Sequence, residues 1–314
     1  MIFTLAYHTM RQLLRTAFCA QAMVARPFRH ARLRRMASAS EAPVSVLFYH
    51  RVADHTPNDW STTRATFRSQ IEYCRKHFDV VDLAEVQRRV RECESSSMSV
   101  AITFDDGYAD NSDYALPLLV ELGVPATYFV STAFVRDQRY FPHDERTGQP
   151  LNVNTVAQLR RAAEQGIEIG CHTRHHVDFS RLYDPRQIRS EIIDAKDELE
   201  QMIGRSVRYL AFPFGLPAQL TQAAIEAVYE AGFHGFCSAY GGYNLPGGDP
   251  FHIRRFHADP CSAKFVNWLG FDRRKLRLEP SVRYFLPPHG SFEATATDHS
   301  LCVPTNSSVE ATAC

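Results

Sequence analysis

The chain has 314 residues, 35 basic and 35 acidic side chains and 45% hydrophobic content, enough for a full core and no net charge. That balance argues against a nucleic-acid binder that relies on a basic surface, and no run approaches the roughly eighteen apolar residues of a membrane-spanning helix. The eight cysteines, at 19, 74, 93, 171, 237, 261, 302 and 314, form no C-x-x-C pair, so a cysteine-built zinc site is disfavoured, and their scatter fits buried thiols better than a disulfide scaffold.

Residues 1–43 read as a basic N-terminal extension, expected to be disordered and outside the core. Met1 to Ser40 contains no acidic residue, while arginines at 11, 15, 26, 29, 32, 34 and 35 stand uncompensated. Arg-rich, acid-poor composition resembles a transit peptide, and the Arg11 to Ala25 stretch is a poor secretory signal because its apolar run is short and interrupted. The competing reading is a start placed too early, with Met36 opening a shorter product.

From Val44 to Pro260, short apolar β-rich runs alternate with segments of helical period, the signature of a βα-repeating fold. Strands are predicted at Val44 to Tyr49, Val100 to Phe104, Ala126 to Val130, Ile167 to Cys171 and Val207 to Phe212. Helices are predicted at Phe67 to His77, Asp113 to Leu122, Val156 to Gln165 and Asp184 to Ile203; Gly123, Gly166 and Gly204 stop the last three. In the fourth, Ile188, Ile192, Ala195, Leu199 and Met202 form one apolar stripe. Residues 44–260 therefore read as one βα-repeating domain. After Pro260 the signal weakens, and from Pro287 Pro, Gly, Ser, Thr and His dominate, so 261–314 reads as a partly disordered C-terminal extension.

Four of these strands run into polar or glycine-rich residues, and in parallel α/β folds active sites assemble at the carboxyl ends of strands. The first runs into His50-Arg51, the second into Asp105-Asp106-Gly107, the fourth into His172-Thr173-Arg174-His175-His176 and the fifth into Pro213-Phe214-Gly215. Alone, Asp-Asp-Gly is a solvent turn and the histidine run a surface feature. Together, two imidazoles and one carboxylate make an open site for zinc or a similar ion, with coordination positions left for water and substrate. His172-x-x-x-His176 has the ligand spacing of a zinc-protease helix, but Thr173 stands where that motif carries its Glu base. The base must come from elsewhere, and Asp105 and Asp106 can divide the work of ligand and base. His175 is the rival ligand. Neighbouring strand residues point to opposite faces, so the two carboxylates do not suit a glycosidase, whose pair flanks the scissile bond.

Thr103-Phe104-Asp105-Asp106-Gly107, His172-Thr173-Arg174-His175-His176 and Phe212-Pro213-Phe214-Gly215 together resemble the polysaccharide deacetylases, or NodB-type deacetylases, across about Val44 to Asp259. The resemblance implies an α/β fold, a distorted (β/α) barrel of the NodB homology type. It implies metal-dependent removal of N- or O-acetyl groups from sugars, usually within a polymer. Carried over by position, Asp106, His172 and His176 are the implied metal ligands and Asp105 the implied general base. The backbone N–H of Phe214, in the Pro213-Phe214-Gly215 turn, is the implied oxyanion donor. One divalent ion is implied, zinc first, with cobalt, nickel or manganese as alternatives.

The chain departs from the family pattern twice. Leu210-Ala211 precede the Pro-rich turn where many members carry an arginine that steadies the base; Arg255 is the candidate substitute, Arg254 the alternative, and a surface arginine pair the remaining reading. There is also no late Leu-x-His motif, for which His257 and His289 are poor fits. Tyr49-His50-Arg51-Val52 resembles the opening strand of the poly-N-acetylglucosamine deacetylase branch, which implies His50 as general acid; a protonated imidazole at that rim can donate to nitrogen. Tyr108, Phe212, Phe214, Tyr240 and Tyr243 are aromatic candidates to lie against sugar faces, and Gly241-Gly242-Tyr243-Asn244 reads as a loop over the site. The resulting expectation is a hydrolase of carbohydrate metabolism that acts on an N-acetylated oligo- or polysaccharide through water activated at the metal. A hydrolase of a small amide or formamido sugar, and an inactive carbohydrate-binding barrel, are the alternatives. Resemblance to this branch points to the cell envelope or exterior, and the lack of a clean export signal to the cytoplasm.

Overall fold

Strands that are apolar on both faces fit only where side chains cover them inside and out, which is the situation of a parallel sheet wrapped by helices. In the computed structural model, which describes residues 25–278 and 282–286, seven strands form such a sheet. They are β1 (Val44–Tyr49), β2 (Ser99–Phe104), β3 (Ala126–Val130), β4 (Glu168–Cys171), β5 (Tyr209–Ala211), β6 (Gly235–Gly241) and β7 (His252–His257). Each pairs in parallel with its neighbours in chain order, and β1 bonds both β2 and β7, so the sheet closes. The fold is a seven-stranded parallel barrel, consistent with the distorted (β/α) barrel that the family resemblance implied. Its distortion lies at β6 and β7, where the register shifts between Ile253 and Arg255.

The predicted helices stand where apolar period and caps placed them. Thr155 and Gln158 form a reciprocal capping box at the start of Val156–Glu164. Gly204, at φ 70°, ends Ala195–Ile203 in the left-handed conformation a side chain would resist. The segment expected as one helix from Asp184 to Ile203 is interrupted: a wide turn at Ser190–Asp194 separates Pro185–Arg189 from Ala195–Ile203. The apolar stripe survives it, with Ile188, Ile192, Ala195 and Leu199 buried.

The structure adds to or departs from the sequence reading at three places. Residues 25–38 are helical rather than disordered, and Leu33 is 2% exposed within the main core. The arginine-rich composition is compatible with packing because the guanidinium groups lie on aromatic rings: Arg26 over Tyr73 and Arg32 over Phe271, while Arg29 bonds the Asn267 carbonyl. Residues 1–24 lie outside the described part. Beyond Pro260, the helix Ser262–Leu269 buries Phe265 and Leu269 and accepts a hydrogen bond at the Trp268 carbonyl from Tyr243; the stretch from Pro287 lies outside the described residues. Finally, β6 and β7 escape a search for apolar runs because they bury Ser238, His252 and Arg255.

His252 is 2% exposed, stacks on Phe236 and bonds Ser238 Oγ at 2.9 Å. Burial, with Arg254 beside it, pushes its pKa down to about 3. Below pH 6.5 the unfolded chain therefore takes up a proton that the folded chain refuses, and stability falls as pH drops from 6.5 toward 3. Between pH 6.5 and 5 this group accounts for about 2 kcal/mol. Urea unfolding at pH 7 and 5 is expected to show a smaller loss for His252→Gln than for the parent by about that amount; equal losses would refute this origin of the acid sensitivity.

Candidate active site

The carboxyl ends of β1, β2, β4 and β5 meet at one mouth of the barrel, around a cavity of about 500 Å³. His50, Asp105, Asp106, His172, His176 and Phe214 all line it. The strand-end residues that the sequence singled out thus come together.

Adjacent carboxylates at the end of one strand must part. Asp106 does so by taking φ 71°, and three more non-glycine residues at this mouth also have positive φ: Thr173 (64°), His176 (55°) and Phe214 (60°). Such strain gathers at sites where surrounding structure dictates the conformation. Asp106 Oδ1 ends 3.4 Å from His172 Nε2 and 3.3 Å from His176 Nε2, and the three ligand atoms lie within 4.8 Å of one another. Asp106 Oδ1 is buried and, among the described residues, has no hydrogen-bond partner. A bare carboxylate oxygen out of water is costly unless a positive charge meets it. His172 Nδ1 lies 2.7 Å from the Ala211 carbonyl, which can only accept, so Nδ1 carries the proton and the Nε2 lone pair faces Asp106. One carboxylate oxygen and imidazole nitrogens converging on a buried point form a donor set suited to a divalent cation.

Asp105 turns the other way. Arg255, fully buried on β7, grips it through two bonds, to Oδ1 at 2.7 Å and Oδ2 at 2.9 Å. The same guanidinium bonds Thr103 Oγ1 and the Ser238 carbonyl and lies between the rings of Phe48 and Phe129. Burial raises the Asp105 pKa, but Arg255, together with His172 and His50, more than offsets it, so the carboxyl titrates below its ordinary range and is ionised at neutral pH. Arg254 takes no part; its side chain packs on Gly241.

The His172–His176 loop is held from behind by Glu191, from the wide turn. Its carboxylate accepts from the N–H groups of Arg174 and His175, and its Oε1 lies 2.6 Å from His175 Nδ1. His175 therefore faces Glu191, and His176 is the residue that reaches Asp106. In the Pro213-Phe214-Gly215 turn, a Cβ at Gly215 would meet the Ala239 nitrogen at 2.5 Å. Only glycine fits there, and among the described residues the Phe214 N–H has no acceptor.

His50 lies in the cavity wall against Trp60, with ring centroids 4.7 Å apart. Burial lowers its pKa, and the nearby charges of Asp106 and Asp105 offset this only in part. His257, a poor fit from sequence, is 6.2 Å from His50 between ring centroids, and its Nε2 is buried without a partner; His289 lies outside the described residues. Of the aromatic candidates, Tyr108, Tyr240 and Tyr243 are buried away from the cavity, Phe212 is buried in its wall, and Phe214, 54% exposed, presents its ring. Gly241 to Asn244 is not over the site: Tyr243 and Asn244 pair with Ser45 and Val44, at the end of β1 away from His50. Trp60, His143 and Arg146, which no motif marked, line the cavity instead. They sit on connections whose course the sequence does not reveal.

The architecture is a closed parallel (β/α) barrel with a carboxylate–imidazole cluster and an arginine-held second carboxylate at its carboxyl mouth. Residues 94–236 match the family model for polysaccharide deacetylases. The chain is 27% identical over 254 residues to the poly-β-1,6-N-acetyl-D-glucosamine N-deacetylase of Staphylococcus epidermidis, covering 73% of this chain and 84% of that one. It is 25% identical over 194 residues to Bacillus subtilis YxkH, covering 61% of this chain and 64% of that protein, less than two thirds of its length. The Streptococcus pyogenes deacetylase PplD shares the fold, with a TM-score of 0.62 at 19% identity over 74% of this chain and 100% of that one. Residues 94–236 thus resemble the polysaccharide deacetylase domain.

Arg255→Leu leaves Asp105 buried and unpaired and is expected to cost about 3 to 5 kcal/mol in urea unfolding, whereas Arg254→Leu is expected to cost less than about 1. Equal costs would remove the special place of Arg255.

Proposed function

We propose that this protein is a metal-dependent hydrolase that removes N-acetyl groups from an N-acetylated sugar polymer. The observation that carries this reading is the buried, unpartnered Asp106 Oδ1 facing His172 and His176 beside an ionised Asp105. Asp106, His172 and His176 would hold one divalent ion, zinc before cobalt, nickel or manganese, because two imidazoles and a carboxylate suit zinc. The ion would lower the pKa of a coordinated water from about 16 toward roughly 7 and polarise the acetyl carbonyl.

Asp105 is the general base. Arg255 keeps it ionised and fixes its orientation by two bonds, so it is ready to take a proton from the attacking water. The free N–H of Phe214 suits the developing oxyanion, a role worth about 3 kcal/mol for one well-aimed donor. His50 stands in the cavity wall as donor to the departing nitrogen. Its lowered pKa makes it neutral at rest, so it must take up a proton before it can donate one. The atoms balance: water supplies hydroxyl to the acetyl group, and its proton leaves on the amine. The poly-N-acetylglucosamine deacetylase among the relatives supports a β-linked N-acetylglucosamine polymer as substrate class.

Acetate release from N-acetylglucosamine oligomers is expected from the purified protein, to vanish on chelation and to return with zinc, cobalt, nickel or manganese. Asp105→Asn is expected to lower the rate at least about 100-fold. Release that survives both chelation and Asp105→Asn would overturn the mechanism, and a well-folded chain that binds no divalent ion would overturn the reading.

A further inference from the structure

Tyr108 directly follows the Asp105-Asp106-Gly107 turn and is fully buried. Its hydroxyl donates to Asp144 Oδ2 at 2.9 Å and lies 2.9 Å from His143 Nε2. A hydroxyl has one proton and a carboxylate only accepts, so that proton is committed to Asp144. The second contact must then run the other way, from the Nε2–H of His143 to the Tyr108 oxygen. In a neutral imidazole this leaves the lone pair on Nδ1, and among the described residues Nδ1 has no partner.

His143 is held firmly for a residue on a connecting segment. Its ring stacks on Phe141 at 5.2 Å and 22°. Phe141 is itself buried, stacked on Phe134, and meets the edge of His176 at 5.6 Å. Asp144, the anchor of the relay, is 2% exposed. His143 nevertheless lines the cavity, on the same wall as Arg146 and in company with Trp60. An acceptor, a guanidinium donor and an aromatic face around one cavity match a sugar, which offers hydroxyl groups of both kinds and apolar C–H faces.

We propose that His143 positions the substrate: its Nδ1 accepts a hydrogen bond from a hydroxyl or amide N–H of the sugar residue that carries the acetyl group. Tyr108 and Asp144 are positioning residues that act through it by holding the proton on Nε2. The inference rests on the deacetylase reading and adds to it a contact outside the three motifs. It also links recognition to chemistry, since Tyr108 extends the very turn that carries Asp105 and Asp106.

The test is steady-state deacetylation of an N-acetylglucosamine pentasaccharide by the full chain with zinc restored, together with equilibrium binding of that sugar in the Asp105→Asn background. His143→Ala is expected to raise KM and the dissociation constant about five- to tenfold while kcat stays within about twofold. His143→Asn, whose side-chain amide reaches the Nδ1 position, is expected to recover most of the loss; His143→Gln, which reaches the Nε2 position, is expected to behave as Ala. Tyr108→Phe is expected to raise KM severalfold by releasing the tautomer. Unchanged KM in His143→Ala, or a common fall in kcat with parental KM in all three His143 variants, would overturn the proposal. So would a rise in KM in His143→Asn equal to that in His143→Ala. Should the parent chain neither bind nor deacetylate the sugar, it is the deacetylase reading that has failed; should it do both and His143→Ala match it, only this inference has.

Discussion

The buried pair of Asp105 and Arg255 is the constraint around which the barrel mouth is arranged. Two neighbouring carboxylates cannot both remain charged in a dry site unless each meets its own positive charge. Arg255 neutralises one through a fixed, two-bonded contact, which commits Asp106 to the opposite side and leaves its Oδ1 facing two imidazoles. To deliver a guanidinium to that point, β7 must carry an arginine inside the barrel. The register shift against β6, the Ser238 carbonyl, Thr103 and the faces of Phe48 and Phe129 together make a place for it. Desolvating such a pair is repaid only when its remaining donors find partners, and here Nε meets the Ser238 carbonyl and Nη1 also meets Thr103 Oγ1.

The rest of the mouth is built by the same logic of groups held in one state before any ligand arrives. The Ala211 carbonyl sets the His172 tautomer, Glu191 turns His175 away, and Gly215 permits the tight turn that leaves the Phe214 N–H free. The left-handed conformations of Asp106, Thr173, His176 and Phe214 each cost about 1 kcal/mol or more, which a closed barrel with a continuous core can sustain. The wide turn that interrupts the helix after β4 has its place in this scheme, because it is what brings Glu191 beneath the loop. Catalytic fitness and backbone irregularity are thus two descriptions of one arrangement.

Much of this was legible in the chain. β1 to β5 could be read because a strand covered on both faces is a short apolar run, and the strand-end motifs because polar residues beyond such a run stand at the barrel mouth. β6 and β7 were not, because residues that serve the site, Ser238, His252 and Arg255, break their apolar pattern while being satisfied by one another. The helix over 25–38 was hidden for a related reason: its arginines read as solvent-exposed charge, whereas their stems and guanidinium groups cover Tyr73 and Phe271.

The sequence by itself determined the alternation of strands and helices, the fold class and the set of residues able to do the chemistry, since these depend on local period, turn residues and motif spacing. Only the tertiary structure decided between adjacent candidates. Arg255 and Arg254, or His176 and His175, differ by one position in the chain, and one position decides which face a side chain takes. It also brought Trp60, His143 and Arg146 to the cavity, because the course of a long connection is set by what it packs against and not by its own composition.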